Sequence, residues 1–185
     1  MWRPDRIGNT VDKTSLFSEE KRAIGAMAAR HIPRNSCIYL DAGTTTLALA
    51  RELEPRDDLL IVTNDFVIAN FIIDNSQCRM IHTGGTLYRE NRSCAGDAAA
   101  QTLRGLSVDI AFIPASCWSQ RGIFTPDEEK IAVKRAACEV SGKRVLLADS
   151  SKYNKIASFL ALPATSFDCI ITDPQLPGPA RPELA

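Results

Sequence analysis

The sequence predicts an α/β protein with a Rossmann-like, mostly parallel sheet and helices on both faces. Three observations predict it. Six short apolar runs recur along the chain, helix-length segments lie between most of them, and small or hydroxyl-bearing residues come directly after nearly every run. Continuous apolar runs without polar alternation are the mark of strands covered on both sides, and strands alternating with helices imply βαβ units.

In chain order, residues 1–17 have no clear period and are expected to be an arm or linker. A helix is expected from Ser18, a good N-cap, with Glu19 and Glu20 favourably placed at its positive end. Ile24, Met27, Ala28 and Ile32 form its apolar stripe, and Pro33 stops it. The six strands are CIYL (37–40), LLIV (59–62), RMI (79–81), DIAFI (109–113), RVLLA (144–148) and DCII (168–171). The intervening helices are 44–54, 65–75, 96–105 and 127–141. Residues 173–182 carry four prolines and should hold no regular structure. The expected organisation is an arm (1–17), one α/β domain (18–173) and a proline-rich tail (174–185).

Composition narrows the function classes. The chain has 185 residues, 45% hydrophobic and 24% charged, enough to bury a core. Its 22 basic and 22 acidic residues cancel, which argues against a chain that grips nucleic acid by itself. Six cysteines without C-x-x-C spacing read as free thiols in a reducing compartment. With only two histidines, neither near a cysteine pair, no metal or other cofactor is expected. No apolar run approaches the ~18–20 residues of a membrane span, and residues 1–14 lack the apolar stretch of a signal peptide. A cytoplasmic protein is expected.

The chemistry is carried by the residues at the carboxyl end of each strand. After CIYL comes Asp41-Ala42-Gly43-Thr44-Thr45-Thr46, and after LLIV comes Thr63-Asn64-Asp65. After RMI comes His82-Thr83-Gly84-Gly85, after DIAFI comes Pro114-Ala115-Ser116, and after RVLLA comes Asp149-Ser150-Ser151-Lys152. In a parallel sheet these ends share one edge, where open α/β sheets bind ligands. In DAGTTT a glycine turn opens a helix whose first amides lack internal partners and whose dipole is positive there. Three hydroxyls beside those amides suit a phosphate. One of the three would suffice as a plain N-cap. Lys152 is either the anion's counter-charge or a solvated loop lysine. Thr63 and Asn64 fit a helix cap as well as a ligand contact, and Gly84-Gly85 fit a turn as well as close backbone approach. His82, between apolar neighbours, reads as structural. Asp127-Glu128-Glu129-Lys130 reads as a solvated helix start, with Lys134 one turn on at a pocket rim.

EKRAIGAMAA (20–29), IYLDAGTTT (38–46), IVTND (61–65), HTGG (82–85), DIAF (109–112) and LLADSSKY (146–153) occur in an order and spacing that resembles the C-terminal sensor domain of DeoR-family sugar-metabolism repressors, from about Phe17 to Asp173. The resemblance implies a fold like ribose-5-phosphate isomerase and glucosamine-6-phosphate deaminase. It implies a phosphorylated sugar-pathway effector and a homo-oligomer whose DNA affinity falls when effector binds. Carried over by motif, Asp41, Gly43, Thr44, Thr45 and Thr46 would hold the phosphate, and Thr63, Asn64, Gly84, Gly85, Asp149 and Lys152 would complete the pocket. The helix-turn-helix usual in that family is expected to be missing from this chain, so DNA would be reached only through such a domain. Two local departures are Pro114 with Trp118 where relatives have a glycine-bearing stretch, and Lys130 where they place a glutamate four residues before Lys134.

The alternative is a phosphosugar isomerase or deaminase on the same fold. It needs a general base beside the substrate carbon, for which Asp41, Asp97, Glu129 and Asp149 are candidates, but the residues show no paired acid/base constellation. Direct DNA binding is disfavoured by the charge balance.

Overall fold

The computed structural model describes residues 18–176. The expected arm (1–17) and residues 177–185 of the expected tail lie outside them. α1 (Ser18–Ala29) leads into β1 (Cys37–Leu40), α2 (Thr44–Glu52), β2 (Leu60–Thr63), α3 (Phe66–Asn75) and β3 (Arg79–His82). Then come β4 (Thr86–Tyr88), β5 (Ser93–Ala95), α4 (Asp97–Arg104), β6 (Val108–Pro114), β7 (Cys117–Ser119) and β8 (Gly122–Thr125). α5 (Glu129–Val140), β9 (Ser141–Leu147), β10 (Phe159–Pro163) and β11 (Cys169–Ile171) complete the order.

All six expected strands enter one sheet, in the order β11-β9-β6-β1-β2-β3. Every adjacent pair is parallel. The chain starts in the middle at β1, adds β2 and β3 on one side, then returns to the other side of β1 with β6. That reversal makes the β1/β6 boundary the topological switch point.

Side-chain alternation along the strands explains the two covered faces. Ile38, Leu40, Ile61, Ile110, Phe112 and Val145 point to one side, where they pack with α1, α2 and α3 through residues such as Ile24, Leu49 and Ile68. Tyr39, Val62, Ala111, Ile113 and Leu146 point to the other, against α4 and α5 through Leu103, Val133 and Ala136. α1 and α2 both run from the carboxyl edge of the sheet towards its amino edge. They cross at Gly25, where a Cβ would sit 2.8 Å from the backbone of Ala48 and Leu49. Only a hydrogen fits at that crossing.

Two features depart from the sequence expectation. A β4–β5 hairpin and a three-stranded antiparallel sheet, β10-β8-β7, stand outside the main sheet. Most of their strands are only three or four residues long and mix polar with apolar side chains, too short for a period to declare itself. The expected gap between the last long helix and RVLLA is also absent, because β9 begins at Ser141, directly after Val140. The Ser141 hydroxyl donates to the Ala137 carbonyl at 2.6 Å, occupying an acceptor left open where the helix stops.

All six cysteines are free thiols, and Cys78, Cys94 and Cys117 are buried. Burial pushes the Cys138 thiol up to about 11. Among the described residues no helix is long and apolar enough to cross a membrane.

Candidate functional site at the switch point

The turn after β1 is built by its own polar atoms. The Asp41 amide continues the ladder onto the Phe112 carbonyl at 3.1 Å. Thr46, fully buried, places its hydroxyl 2.6 Å from the Asp41 carbonyl and 2.8 Å from that of Gly43. Gly43 has an extended backbone, so its need is steric: a Cβ would lie 2.7 Å from Cγ of Pro114, at the end of β6. The turn is thereby pressed into the switch point. No side chain caps α2, so the amides of its first turn face the carboxyl edge without acceptors. Thr45, in that first turn, is only 6% exposed. Thr44 beside it is half-buried.

Lys134 is the lysine brought to this point. Its ammonium is ion-paired with Asp41 Oδ2 and lies 3.4 Å from the Pro114 carbonyl oxygen. The other Asp41 oxygen accepts from the Tyr39 hydroxyl at 3.0 Å. Asp41 is 4% exposed and Lys134 12%. Burial, aided by the Asp41 carboxylate, holds the Tyr39 phenol well above its usual value and keeps it a donor. Asp41 therefore serves as an anchor for Lys134, since a carboxylate so placed would repel an anion. Sequence reasoning set Lys134 at a rim and looked to Lys152 for the counter-charge. The signal that identifies Lys134 is topological: connections after β1 and β6 leave to opposite faces, so α2 and α5 both start over the switch point.

The end of β2 is a scaffold. Thr63 donates to the Leu40 carbonyl at 2.7 Å, and Asn64 both accepts from the Ala42 amide at 3.0 Å and donates to the Cys94 carbonyl at 2.8 Å. Asp65 caps α3 through the Val67 and Ile68 amides and also accepts from the Gly43 amide at 3.2 Å. Burial pushes its carboxyl up to about 6 despite these three hydrogen bonds. The polar atoms of Thr46, Thr63 and Asn64 are thus engaged within the chain, and they shape the edge instead of facing it.

In HTGG, Gly84 and Gly85 adopt positive φ of 64° and 112°. A Cβ on Gly85 would also lie 2.8 Å from the Ala95 carbonyl, so this turn admits glycine alone. His82 Nδ1 accepts from the Gly84 amide at 3.1 Å, which leaves the proton on Nε2, and the ring stacks on Phe66 at 4.5 Å. Burial holds its pKa below the usual value. Its Nε2 is buried without a hydrogen-bond partner among the described residues, so the ring is not the fully satisfied structural histidine expected from the sequence.

At the end of β9, Asp149 is buried and caps the short turn Ser150–Lys152 through the Ser151 amide and hydroxyl. Asp173 ties the turn down by accepting from the Ser150 amide at 2.6 Å. Lys152 is half-buried. Next to it Tyr153 meets Trp118 edge-on, with ring centres 4.9 Å apart, and Trp118 is buried in the core.

A shallow cavity of about 390 Å³ lies at the opposite, amino edge, lined by residues including Asp57, Asp58, Asp109 and Arg79. Three carboxylates make it a poor seat for an anion. The charge and hydrogen-bond pattern favours the carboxyl edge.

A six-stranded parallel sheet covered by helices on both faces, with its switch point between β1 and β6, defines an α/β protein of Rossmann-like fold. Its backbone superposes on a ribose 5-phosphate isomerase A from Methanocaldococcus jannaschii with a TM-score of 0.54 at 16% identity, covering 74% of this chain and 54% of that one. On eIF2B delta from Chaetomium thermophilum the TM-score is 0.60 at 12% identity, covering 87% and 58%. The chain spans little more than half of each, and the likeness is one of fold.

The chain belongs to the DeoR family, matching its C-terminal sensor domain over residues 16–174. It is 56% identical over 172 residues to the HTH-type transcriptional regulator YgbI of Escherichia coli K12, covering 93% of this chain and 68% of that protein. A Haemophilus influenzae HTH-type transcriptional regulator is 51% identical, with 94% and 68% covered. The putative aga operon transcriptional repressor of Escherichia coli O157:H7 is 30% identical, with 90% and 62% covered. The fold and function expected from the sequence, the effector-binding domain of a transcriptional regulator, hold.

Proposed function

We propose that this domain binds a phosphorylated sugar or related phosphorylated metabolite at the switch point and does not turn it over. The observation that carries the reading is the uncapped start of α2, with Thr45, a residue 6% exposed, in its first turn. Backbone amides, two hydroxyls and the helix dipole form a cradle for a dianionic phosphate. Gly43 and Thr44 supply the turn, and Lys134 supplies a charge held in place by Asp41 and Tyr39. Gly84, Gly85, Asp149 and Lys152 border the same edge and would meet the sugar. The name of one relative points the same way: a glycerol-3-phosphate regulon repressor is 29% identical over 163 residues.

Binding without turnover is supported by how the carboxylates are used. Asp41 is paired with Lys134, Asp65 caps α3, and Asp149 caps its own turn. Of the four candidate bases, Asp41 and Asp149 are thus engaged, and Asp97 and Glu129 are exposed at the starts of their helices. The relatives being transcriptional regulators supports the same reading. The full regulator would act in the cytoplasm as a homo-oligomer, reaching DNA through a helix-turn-helix domain joined to this one.

The test is a thermal-shift screen against phosphorylated sugars, with the unphosphorylated sugars as controls. A ligand at 100 times its Kd adds ~2.7 kcal/mol, or roughly 5–11 °C in a domain of this size. A shift with phosphorylated compounds alone is expected. A flat screen, or equal shifts from unphosphorylated sugars, would remove the phosphate cradle, and product formation would restore the enzyme reading.

A further inference from the structure

Asn64 follows β2, is only 4% exposed, and has both ends of its side-chain amide engaged. Its Oδ1 accepts from the Ala42 amide at 3.0 Å, and its Nδ2 donates to the Cys94 carbonyl at 2.8 Å. The main chain doubles the second link, because the Cys94 amide donates to the Asn64 carbonyl at 2.8 Å. One end of the side chain thus holds the turn that leads into α2, and the other holds β5. An ionised aspartate of the same shape could accept from Ala42 but would set a carboxylate against the Cys94 carbonyl, so the amide is the group that serves both partners.

The contact with β5 is part of a longer seam. Asp65 forms an antiparallel bridge with Ser93, and the Phe66 amide donates to the Arg92 carbonyl at 2.9 Å, so residues 64–66 run beside 92–94. Beyond β5 the Gly96 amide donates to the carbonyl of Glu129 at 3.2 Å, and Glu129 begins α5, the helix that carries Lys134. β5 is buried at all three of its positions. It therefore reaches both halves of the switch-point site, the α2 start through Asn64 and the lysine helix through Gly96.

Two consecutive amides ahead of α2 are taken by the end of β2, that of Ala42 by Asn64 and that of Gly43 by Asp65. With those two groups occupied, the amides of the first turn of α2 are the ones left for an anion. We propose that Asn64 is a positioning residue of the phosphate site, which fixes the peptide ahead of the α2 amides and takes its own bearing from the β4–β5 hairpin. The proposal rests on the phosphate reading above and deepens it, since it makes the hairpin a brace that helps set the affinity of the cradle. Binding groups keep a productive geometry only while the hydrogen bonds behind them hold them in it.

Inorganic phosphate is the probe, titrated calorimetrically into the full 185-residue chain. Asn64→Ala should bind it about tenfold more weakly than wild type, the loss expected when one supporting hydrogen bond is removed. A residue with a purely structural role would lower the melting temperature of Asn64→Ala and leave the phosphate affinity of the folded variant unchanged. The Cys94 backbone amide gives a second readout. In wild type its ¹H–¹⁵N resonance should move as phosphate is added, and in Asn64→Ala that movement should shrink while the Thr45 amide still responds. Should Asn64→Ala not fold, the wild-type titration decides, and a Cys94 resonance unmoved at saturating phosphate overturns the proposal. An affinity in Asn64→Ala within about twofold of wild type, or an undiminished Cys94 response, overturns it too. If Thr45→Val abolishes binding while Asn64→Ala leaves it intact, the α2 cradle survives without this brace. Failure of wild type to bind phosphate or any phosphorylated sugar overturns both.

Discussion

Replacing Lys134 by methionine tests the centre of the site through stability alone. Methionine keeps most of the chain length and removes the charge. Asp41 would then be left 4% exposed, with the Tyr39 hydroxyl as its remaining side-chain partner. Breaking a buried pair from one side leaves an uncompensated charge, which costs about 3–5 kcal/mol. For a domain of this size that is roughly 6–20 °C in Tm. Urea unfolding of the unliganded chain measures it, with the m-value checked for constancy. The double variant Asp41→Asn/Lys134→Met carries no orphaned charge, and asparagine can still accept from Tyr39. It should recover at least half of the loss, so a double-mutant cycle gives a large coupling energy. A Lys134→Met loss below about 1 kcal/mol, or simple additivity in the cycle, would refute the buried pair. The screened behaviour of a surface salt bridge would then describe it better.

The same geometry sets three further outcomes. Thr46→Val should destabilise the unliganded chain by about 1 kcal/mol, because its hydroxyl is spent inside the turn. Thr45→Val should leave that stability nearly unchanged yet lose about tenfold or more in phosphate affinity, and the reverse pattern would exchange their roles. Gly25→Ala should cost about 1–3 kcal/mol in urea unfolding despite alanine's better helix propensity, because the new methyl meets backbone; a neutral or stabilising effect would mean that the helices cross more loosely. The Asp65 carboxyl is raised by burial to about 6 from an ordinary 3.8. The folded chain therefore holds a proton that the unfolded chain releases between those values, and this group's contribution is full below the window and lost as pH rises through it. Measured against Asp65→Asn, wild type should lose roughly 3 kcal/mol between pH 3.5 and 7. An identical pH profile for the two proteins would contradict the raised value.

Most of the main sheet was legible because its strands are runs of Val, Ile and Leu buried on both faces, and such runs announce themselves without context. IYL, LIV and AFI each became a central strand within one or two residues of the expected limits. The small β4–β5 and β10-β8-β7 sheets were not legible, since SCA, CWS and GIFT are too short to show a period. The DAGTTT helix start was readable from local chemistry alone. Which of its three threonines turns inward was not, because that depends on where the Asp41 carbonyl lands once β1 sits beside β6. The pairing of Lys134 with Asp41 was hidden for a related reason. Lys134 reaches the edge through the connection after β6, which the linear order does not display.

The seam between α5 and β9 has a consequence for how the chain can vary. Val140 is the last helical residue and Ser141 the first of the strand, so there is no connector to absorb a change in length. An insertion of one residue there could not be taken up as a longer loop. Kept in the strand, it would turn Val145 and Leu147 from one cluster towards the other and carry Asp149 to the wrong side of the sheet; kept in the helix, it would swing the segment before it, Lys134 included, by about 100°. Across variants of this domain the spacing from Lys134 to Asp149 should be invariant even where the surrounding side chains drift, while length changes collect in turns such as 154–158.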